Sequence, residues 1–311
     1  MKTLCKATLV VASLIGGSQH CWAPPMKDAA GKPIENLYSL KKDERLRPSK
    51  PLVIQTDTRP TFTREIISMQ WRPLDPITFF VIKPKNVRRP SVVLYCYTFP
   101  QSSKRFMDDE YCARITASGA AAIGFESALT ADRYRNRPMR EWFVSEMRES
   151  LVSTVHDVQY LLDYAQSRGD LNASSAGFFG TGSGATIGVL AATIEPRIRA
   201  LDLIGPWCDW PTWMKESKQI AEDERPKLTQ RAFLRDIRDL DPLNKISKLN
   251  IPIRINHVKE DPTVPDRTIE ALRKRLPKSA TLTLHEDNIA FYRWTQANSM
   301  FGWLPSRLSV R

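Results

Sequence analysis

The sequence has few of the residues that build metal and disulfide sites. Its 311 residues include 5 cysteines and 4 histidines, and no pair has the C-x-x-C or H-x-x-x-H spacing of a metal site. Cys5 and Cys21 lie close to the amino terminus. The other three, Cys96, Cys112 and Cys208, are too few to form a disulfide framework. We therefore expect one bridge at most, or free buried thiols, and no cofactor is implied.

Long apolar runs are also missing. Residues 7–15 form a short apolar run that is not long enough to span a bilayer comfortably, and no later segment is a better transmembrane candidate. The run follows Lys2 and Lys6 and precedes a small-residue cleavage site at Ala23, which is the layout of a secretory signal peptide. We therefore predict that residues 1–23 are a leader and that the mature chain is exported to the periplasm or secreted. An apolar helix retained in the cytosol is the alternative.

A concentrated patch of charge is absent as well. The formal net charge is +12, but basic and acidic residues alternate along the whole chain, which is typical of a solvated surface. A diffuse attraction to anionic cell envelopes is the second interpretation. Nothing in the pattern resembles a nucleic-acid-binding module, so no nucleic-acid partner is expected.

The order of the predicted elements indicates one large α/β domain. Residues 24–64 are polar and proline-rich and are predicted to be an extended arm, and residues 65–311 are predicted to form the domain, with a cap-like insertion at about 207–247. Predicted strands cover residues 66–71, 77–82, 91–97, 120–125, 176–181, 198–204, 251–256 and 280–284, and predicted helices cover 108–118, 141–168, 185–192, 215–240, 268–276 and 291–301. This alternation predicts a doubly wound, mostly parallel sheet.

A glycine-rich turn joins a predicted strand to a small-residue helix. Its core reads Gly180-Thr181-Gly182-Ser183-Gly184, which has the strand–turn–helix context of the G-x-S-x-G nucleophile elbow. When the motif is laid on Gly180 and Gly184, the nucleophile position falls on Gly182. The serine, Ser183, comes one residue too late.

These features resemble the α/β-hydrolase superfamily, especially its dienelactone-hydrolase and dipeptidyl-peptidase-like branches. The resemblance runs from Glu65 to the carboxyl terminus. Four segments carry it, residues 92–100, 157–170, 177–184 and 251–265. It implies that Asp261 occupies the position of the triad acid and that Tyr97 and Thr98 lie at the oxyanion-binding loop.

Two of the three triad positions hold residues without the required chemistry. The nucleophile position is Gly182, and the resemblance places the histidine position at Ile289. Glycine adopts the strained elbow backbone without penalty, because it has no Cβ. The sequence therefore favours a catalytically degenerate hydrolase homologue, a pseudoenzyme that binds a small-molecule or peptide ligand.

A displaced serine centre is the alternative within the same fold. Ser183 could act with His285 or His257 as base and with Asp261 behind it, since triads are defined by geometry and not by sequence position. The flanking glycines Gly182 and Gly184 would give the turn the necessary freedom. Such a centre would hydrolyse esters or amides. Ser183 could equally be a simple helix N-cap.

A dinucleotide-binding protein is an alternative of another class. Gly180, Gly182 and Ala185 satisfy the pattern G-x-G-x-x-G/A, and Asp202 follows at about twenty residues. The glycines would admit a pyrophosphate, and the aspartate would hold a ribose.

Two groups of side chains are candidates for lining a pocket. Trp207 and Trp210, with Trp213, follow a predicted strand end and could line the ligand site or pack a cap onto the sheet. An arginine cluster could receive an anionic ligand or form a solvated loop; its members are Arg133, Arg135, Arg137 and Arg140. The remaining histidine of the predicted mature chain, His156, is expected to be structural. The oligomeric state is left open.

Overall fold

A computed structural model describes residues 35–73, 75–98, 103–128, 133, 147–298 and 300–308. The predicted leader and the first part of the predicted arm lie outside these residues. Within the described part of the chain, no helix combines the length and apolar character needed to cross a membrane.

A nine-stranded sheet organises the chain. Its strands are β1 Leu52–Thr58, β2 Phe62–Arg72, β3 Asp75–Pro84, β4 Ser91–Cys96, β5 Ala121–Phe125, β6 Asn172–Thr181, β7 Ile198–Ile204, β8 Ile253–Val258 and β9 Ala280–His285. The strand order is β1-β2-β3-β5-β4-β6-β7-β8-β9. The pairs from β1 to β5 along this order are antiparallel, and every pair from β5 to β9 is parallel. The predicted doubly wound, mostly parallel sheet is therefore confirmed.

Helices follow the strands and cover both faces of the sheet. They are α1 Asp109–Thr116, α2 Met147–Ser167, α3 Ser183–Ala192, α4 Trp210–Glu216, α5 Arg225–Leu228, α6 Arg231–Ile237, α7 Asp266–Arg273, α8 Asn288–Ala297 and α9 Trp303–Leu308. Helices α2 and α3 share a large core with the inner strands on one face. A smaller core on the other face contains residues of α1 and α9. The strands between the two cores are buried on both sides, which explains their nearly continuous apolar sequences.

The structure differs from the prediction in two segments. Residues 52–58, which were assigned to an extended arm, form β1 and pair with β2; the strand escaped prediction because its apolar side chains are exposed and pack into no core. The single helix predicted at 215–240 is wrong. Short helices replace it, because Pro226 cannot continue a helix and instead occupies the first turn of α5.

A buried ionic network fixes the segment that precedes β1. Arg72 donates to Glu35 (Nε to Oε2, 2.5 Å) and to Asp157 (Nη1 to Oδ1, 2.5 Å). Arg133 donates to the other oxygen of Asp157 at 2.7 Å and to Asp75 at 2.6 Å. Burial alone would raise the pKa of Asp157, but the two arginines outweigh it and the pKa is lowered. The network thereby joins β2, β3 and α2 to a segment that lies before the sheet.

Candidate functional site

The backbone of a nucleophile elbow is present at Gly182. This residue ends the turn between β6 and α3 with φ 51° and ψ −117°, a left-handed conformation that favours glycine. Its amide donates to the carbonyl of Ile204 at 2.8 Å, and its carbonyl accepts the amide of Thr186 at 3.1 Å. The turn is therefore held on both sides of Gly182, although no side chain projects from its tip.

The side chain of Thr98 fills the space in which the nucleophile's side chain would begin. A Cβ built on Gly182 would lie 2.3 Å from Thr98 Oγ1, 2.7 Å from Thr98 Cβ and 3.1 Å from Trp207 Nε1. Contacts below about 3 Å between non-bonded carbon and oxygen are repulsive. A serine at position 182 would therefore require Thr98 to move.

Two backbone amides at the expected oxyanion hole already have internal partners. The amide of Ser183, the residue after the nucleophile position, donates to Thr98 Oγ1 at 3.4 Å. The amide of Thr98 donates to Thr181 Oγ1 at 2.9 Å. An oxyanion hole works through donors that point at a developing charge, and these two point at threonine hydroxyls. Residues 99–102, which continue this loop, lie outside the described residues.

His285, a base of the predicted displaced serine centre, has its described side-chain hydrogen bond with a residue other than Ser183. Ser183 is fully buried at the start of α3. His285 is buried at the end of β9, where its Nε2 lies 3.0 Å from Asn256 Oδ1 and its ring contacts Phe291. Burial, and to a smaller extent the neighbouring His257, lower the pKa of His285. Among the described residues, the side-chain hydrogen-bond partner of His285 is therefore an amide oxygen, and Phe291 and Trp294 pack on its ring.

Asp261 lies at the site, but it stabilises its own turn. Its Oδ1 accepts the amide and the hydroxyl of Thr263, both at 2.8 Å. The second candidate base, His257, has its Nε2 2.7 Å from Asp266 Oδ1. Ile289, at the expected histidine position, has an exposed fraction of 61%. The acid position is thus occupied, and the described hydrogen bonds of both histidines lead to other residues.

A cavity of about 340 Å³ lies at the carboxyl ends of β4, β6 and β7, where ligands bind in open α/β sheets. The residues lining it are Tyr97, Thr98, Arg105, Tyr111, Phe179, Thr181, Gly182, Ile204, Gly205, Asp261, Thr263, Val264, Phe291, Met300 and Phe301. Five of these side chains are aromatic. The charged groups among them are the guanidinium of Arg105 and the carboxylate of Asp261.

The aromatic wall is organised around Tyr97. The guanidinium of Arg105 stacks on its ring at 3.6 Å from the centroid, and its hydroxyl contacts that of Tyr111. Burial raises the pKa of Tyr97, although the hydrogen bond to Tyr111 and the charge of Arg105 oppose the shift. Burial raises the pKa of Tyr111 as well, so both phenols stay neutral. Arg105 and Tyr111 were not predicted from the sequence, because they lie in residues 103–107 and in α1 and line the cavity only in the folded chain.

The tryptophans belong to the packing behind the site. Trp207 and Trp210 are buried and are absent from the described residues that line the cavity, so the structure does not place them in the pocket. Trp207 stacks on Trp213 with ring centroids 4.6 Å apart, and Trp210 meets Trp213 edge-on at 5.8 Å. The cluster joins α4 to the loop between β8 and α7, since Trp213 Nε1 donates to the carbonyl of Thr263 at 2.9 Å.

The structure gives the residues of the dinucleotide motif other partners. Asp202 is buried and accepts two hydrogen bonds from Arg254, at 2.9 and 2.5 Å. A Cβ on Gly180 would lie 2.7 Å from the backbone of Ala185, and one on Gly184 would lie 2.0 Å from the carbonyl oxygen of Cys96. These glycines permit close contact between α3 and the strands.

The remaining candidates are structural in the described chain. Arg133 belongs to the buried ionic network, and Arg135, Arg137 and Arg140 lie outside the described residues. His156 contacts Glu35 in the same network. The three cysteines of the predicted mature chain, Cys96, Cys112 and Cys208, are free and buried.

Comparison with known proteins finds similarity in structure alone. No protein-family model and no curated protein matches the sequence. An S-formylglutathione hydrolase from Agrobacterium tumefaciens superposes with a TM-score of 0.60 at 15% identity, covering 83% of this chain and 99% of that one. An acetyl xylan esterase from Paenibacillus sp. R4 gives 0.57 at 14% identity, with coverages of 82% and 88%.

The chain has the α/β-hydrolase fold. A cold-adapted esterase from an Arctic intertidal metagenomic library agrees, with a TM-score of 0.58 at 14% identity over 82% of this chain and 98% of that one. Identities this low show the fold and no activity. In this fold the cavity lies beside Gly182, at the carboxyl ends of the inner strands.

Proposed function

We propose that this protein is a catalytically inactive α/β-hydrolase homologue that binds a small ligand in the cavity beside Gly182. The observation that carries the proposal is the position of Thr98, whose hydroxyl fills the space of the missing nucleophile and accepts the amide that an active enzyme would offer to the oxyanion. Serine chemistry needs a base within hydrogen-bond reach of the hydroxyl. The buried Ser183 and the hydrogen bonds of His285 and His257 to other residues support the absence of that chemistry.

The lining of the cavity supports a ligand with an apolar body and an anionic group. Tyr97, Tyr111, Phe179, Phe291 and Phe301 offer aromatic surface to the body of the ligand. The guanidinium of Arg105 would bind a carboxylate, for which its planar donors are suited. A volume of about 340 Å³ fits a small organic acid, since small-molecule pockets begin at about 300 Å³.

The amino-terminal sequence supports export as part of the same proposal. Lys2 and Lys6, the apolar residues 7–15 and the small residue Ala23 have the order of a leader with its cleavage site. The ligand would then be encountered outside the cytoplasm.

Covalent labelling tests the absence of serine chemistry. The purified mature protein and its Ser183→Ala variant are treated with a fluorophosphonate probe and assayed with aryl esters. We expect no labelling and no ester turnover that depends on Ser183. Labelling of the wild type that is lost in Ser183→Ala would overturn the proposal and establish a displaced nucleophile.

Calorimetry with matched compounds tests the ligand class. Phenylacetate and phenylacetamide share a ring and differ in charge, and the proposal expects the acid to bind more tightly. Arg105→Gln should weaken binding of the acid and leave binding of the amide unchanged, while the exposed Arg88→Gln serves as control. Equal binding of both compounds to the wild type and to Arg105→Gln would contradict an anion-binding role.

A further inference from the structure

The fold uses only one oxygen of the Asp261 carboxylate. Its Oδ1 accepts the amide and the hydroxyl of Thr263, both at 2.8 Å, and the amide of Val264 at 3.3 Å. Within the described chain, no donor bonds to the other oxygen and no basic side chain forms an ion pair with this carboxylate. The turn is therefore complete without the second oxygen, which stays available to a ligand.

The carboxylate also has no imidazole to face among the described residues. In an active enzyme of this fold, the triad carboxylate stabilises a histidine that becomes positively charged. Here the side-chain hydrogen bonds of His257 and His285 lead to Asp266 and Asn256. Asp261 thus keeps the position of the acid, but neither of these histidines supplies the cation.

The surroundings of Asp261 favour a cationic group in the cavity. Asp261 is half-buried and lines the cavity together with the rings of Phe291 and Phe301. A carboxylate that is partly withdrawn from water is stabilised by a cation that pairs with it, and the faces of aromatic rings attract cations as well. An ammonium group carries a positive charge and three N–H donors. It would therefore pair with the second oxygen of Asp261 and lie against aromatic surface.

The charge of opposite sign lies on another side of the cavity. The guanidinium of Arg105 stacks on Tyr97, which follows β4, whereas Asp261 follows β8. Strands β6 and β7 lie between β4 and β8, and adjacent strands are about 4.8 Å apart. The cavity therefore presents a cation and a carboxylate at separated positions, with aromatic side chains in its lining.

We propose that the ligand of this cavity is a zwitterion, with an ammonium group bound by Asp261 and a carboxylate bound by Arg105 at the two ends of an apolar body. The second oxygen of Asp261 accepts the N–H donors of the ligand while Oδ1 continues to hold the turn. This inference rests on the proposed function, and it adds the second charged group of the ligand and the residue that binds it.

Calorimetry with two matched acids tests the ammonium site. The compounds para-(aminomethyl)phenylacetate and para-ethylphenylacetate share the ring and the carboxylate, and they differ only in an ammonium group that replaces a methyl group. At pH 7 the amine is protonated. We expect the wild-type mature protein to bind the amino compound at least about tenfold more tightly, because hydrogen bonds between charged groups are stronger than neutral ones.

A conservative variant assigns the preference to Asp261. Asp261→Asn removes the negative charge and keeps an oxygen for the amide and hydroxyl of Thr263, so the melting temperature should stay close to that of the wild type. The variant should bind the two compounds about equally, without weaker binding of para-ethylphenylacetate. The control is Glu260→Gln, which removes the adjacent exposed charge outside the cavity lining. It should keep the preference, because a long-range effect of charge would be similar in both variants.

The outcomes separate this inference from the proposed function. If para-ethylphenylacetate binds to the wild type and the amino compound binds no more tightly, the zwitterion proposal is overturned and the anion-binding cavity stands. A preference that persists in Asp261→Asn, or that Glu260→Gln abolishes equally, also overturns the assignment to Asp261. If neither compound binds to the wild type, the proposed function and this inference fail together.

Discussion

The hydroxyl of Thr98 lies 2.3 Å from the point that a Cβ on Gly182 would occupy. This relationship ties the loop after β4 to the turn before α3, since the same hydroxyl accepts the amide of Ser183. An enzyme of this fold needs open space at both places, one for the nucleophile and one for the oxyanion. Here one side chain occupies both, and the backbone of the elbow remains as a packed turn.

Substituting Gly182 measures how tightly the turn is filled. We expect Gly182→Ala to destabilise the fold by more than about 2 kcal/mol, because a non-glycine residue is strained at φ 51° by about 1–3 kcal/mol and overpacking adds about 1–3 kcal/mol. The double variant Thr98→Gly/Gly182→Ala lacks the opposing side chain, so it should recover the part of the lost stability that comes from overpacking. Urea unfolding of the two single variants and the double variant gives the coupling energy. Strict additivity would contradict a contact between the two positions.

Two other glycines form a matched pair. A Cβ on Gly184 would lie 2.0 Å from the carbonyl oxygen of Cys96, whereas one on Gly169 would have no atom within 4 Å. Gly184→Ala should therefore prevent stable folding or lower the melting temperature strongly, because a backbone atom cannot move aside. Gly169→Ala should be neutral or stabilising by up to about 1 kcal/mol. Thermal unfolding followed by circular dichroism compares them, and similar losses in both would be the contrary result.

Removing the central cation of the buried network should cost more than removing a surface charge. Arg72→Met leaves Glu35 and Asp157 without one of their main partners in a buried site. We expect a loss of about 3–5 kcal/mol in the free energy of unfolding, the usual cost of breaking a buried ion pair. The exposed Arg88→Met is the control and should change it by less than about 0.5 kcal/mol. A small effect at Arg72 would show that water or relaxation compensates the charges.

The same network makes the stability of the protein depend on acidic pH. Burial would raise the pKa of Glu35, but hydrogen bonds from His156 and Arg72 lower it below its ordinary value of 4.5. A carboxyl whose pKa is lower in the folded state stabilises the fold above its unfolded pKa. That contribution is lost as the pH falls below about 4.5 toward the folded pKa. Urea midpoints measured between pH 7 and pH 3 should fall less steeply for Glu35→Gln than for the wild type, and parallel curves would exclude this linkage.

The reactivity and the number of the thiols test both the burial of the cysteines and the removal of the predicted leader. Burial raises the pKa of Cys96, Cys112 and Cys208, so the native protein should react slowly with Ellman's reagent at pH 8. In denaturant, a chain that has lost residues 1–23 should titrate three thiols, whereas the full chain has 5 cysteines. Rapid reaction of a native thiol would contradict the buried positions. Five thiols in protein recovered outside the cytoplasm would contradict cleavage of the leader.

From β2 onward the order of the strands was predictable from the sequence, because periodicity and apolar runs are local signals. The hairpin formed by β2 and β3 and the turn at Gly182 lie where they were predicted. The sequence could not predict that Thr98 occupies the space of the nucleophile's side chain, because Thr98 and Gly182 are 84 positions apart and only the fold brings them together. The resemblance placed Asp261 at the position of the triad acid, but the sequence alone could not show that its Oδ1 accepts the amide and hydroxyl of Thr263 in its own turn. The prediction of a helix over 215–240 was wrong for a local reason. Pro226 interrupts this charged segment and begins a new short helix.

The contacts of Glu35 have a consequence for the order in which the chain is assembled. Its partner His156 is 121 residues further along the sequence, so the segment that leaves the ribosome early cannot reach its final place until α2 has been made. Contacts of such long sequence separation form late and slow the search for the native state. Glu35 therefore stays without its partner His156 until β1 to β5 and α2 have been synthesised. A chain that travels through a translocation channel would profit from this delay, because it passes such a channel only while it is unfolded.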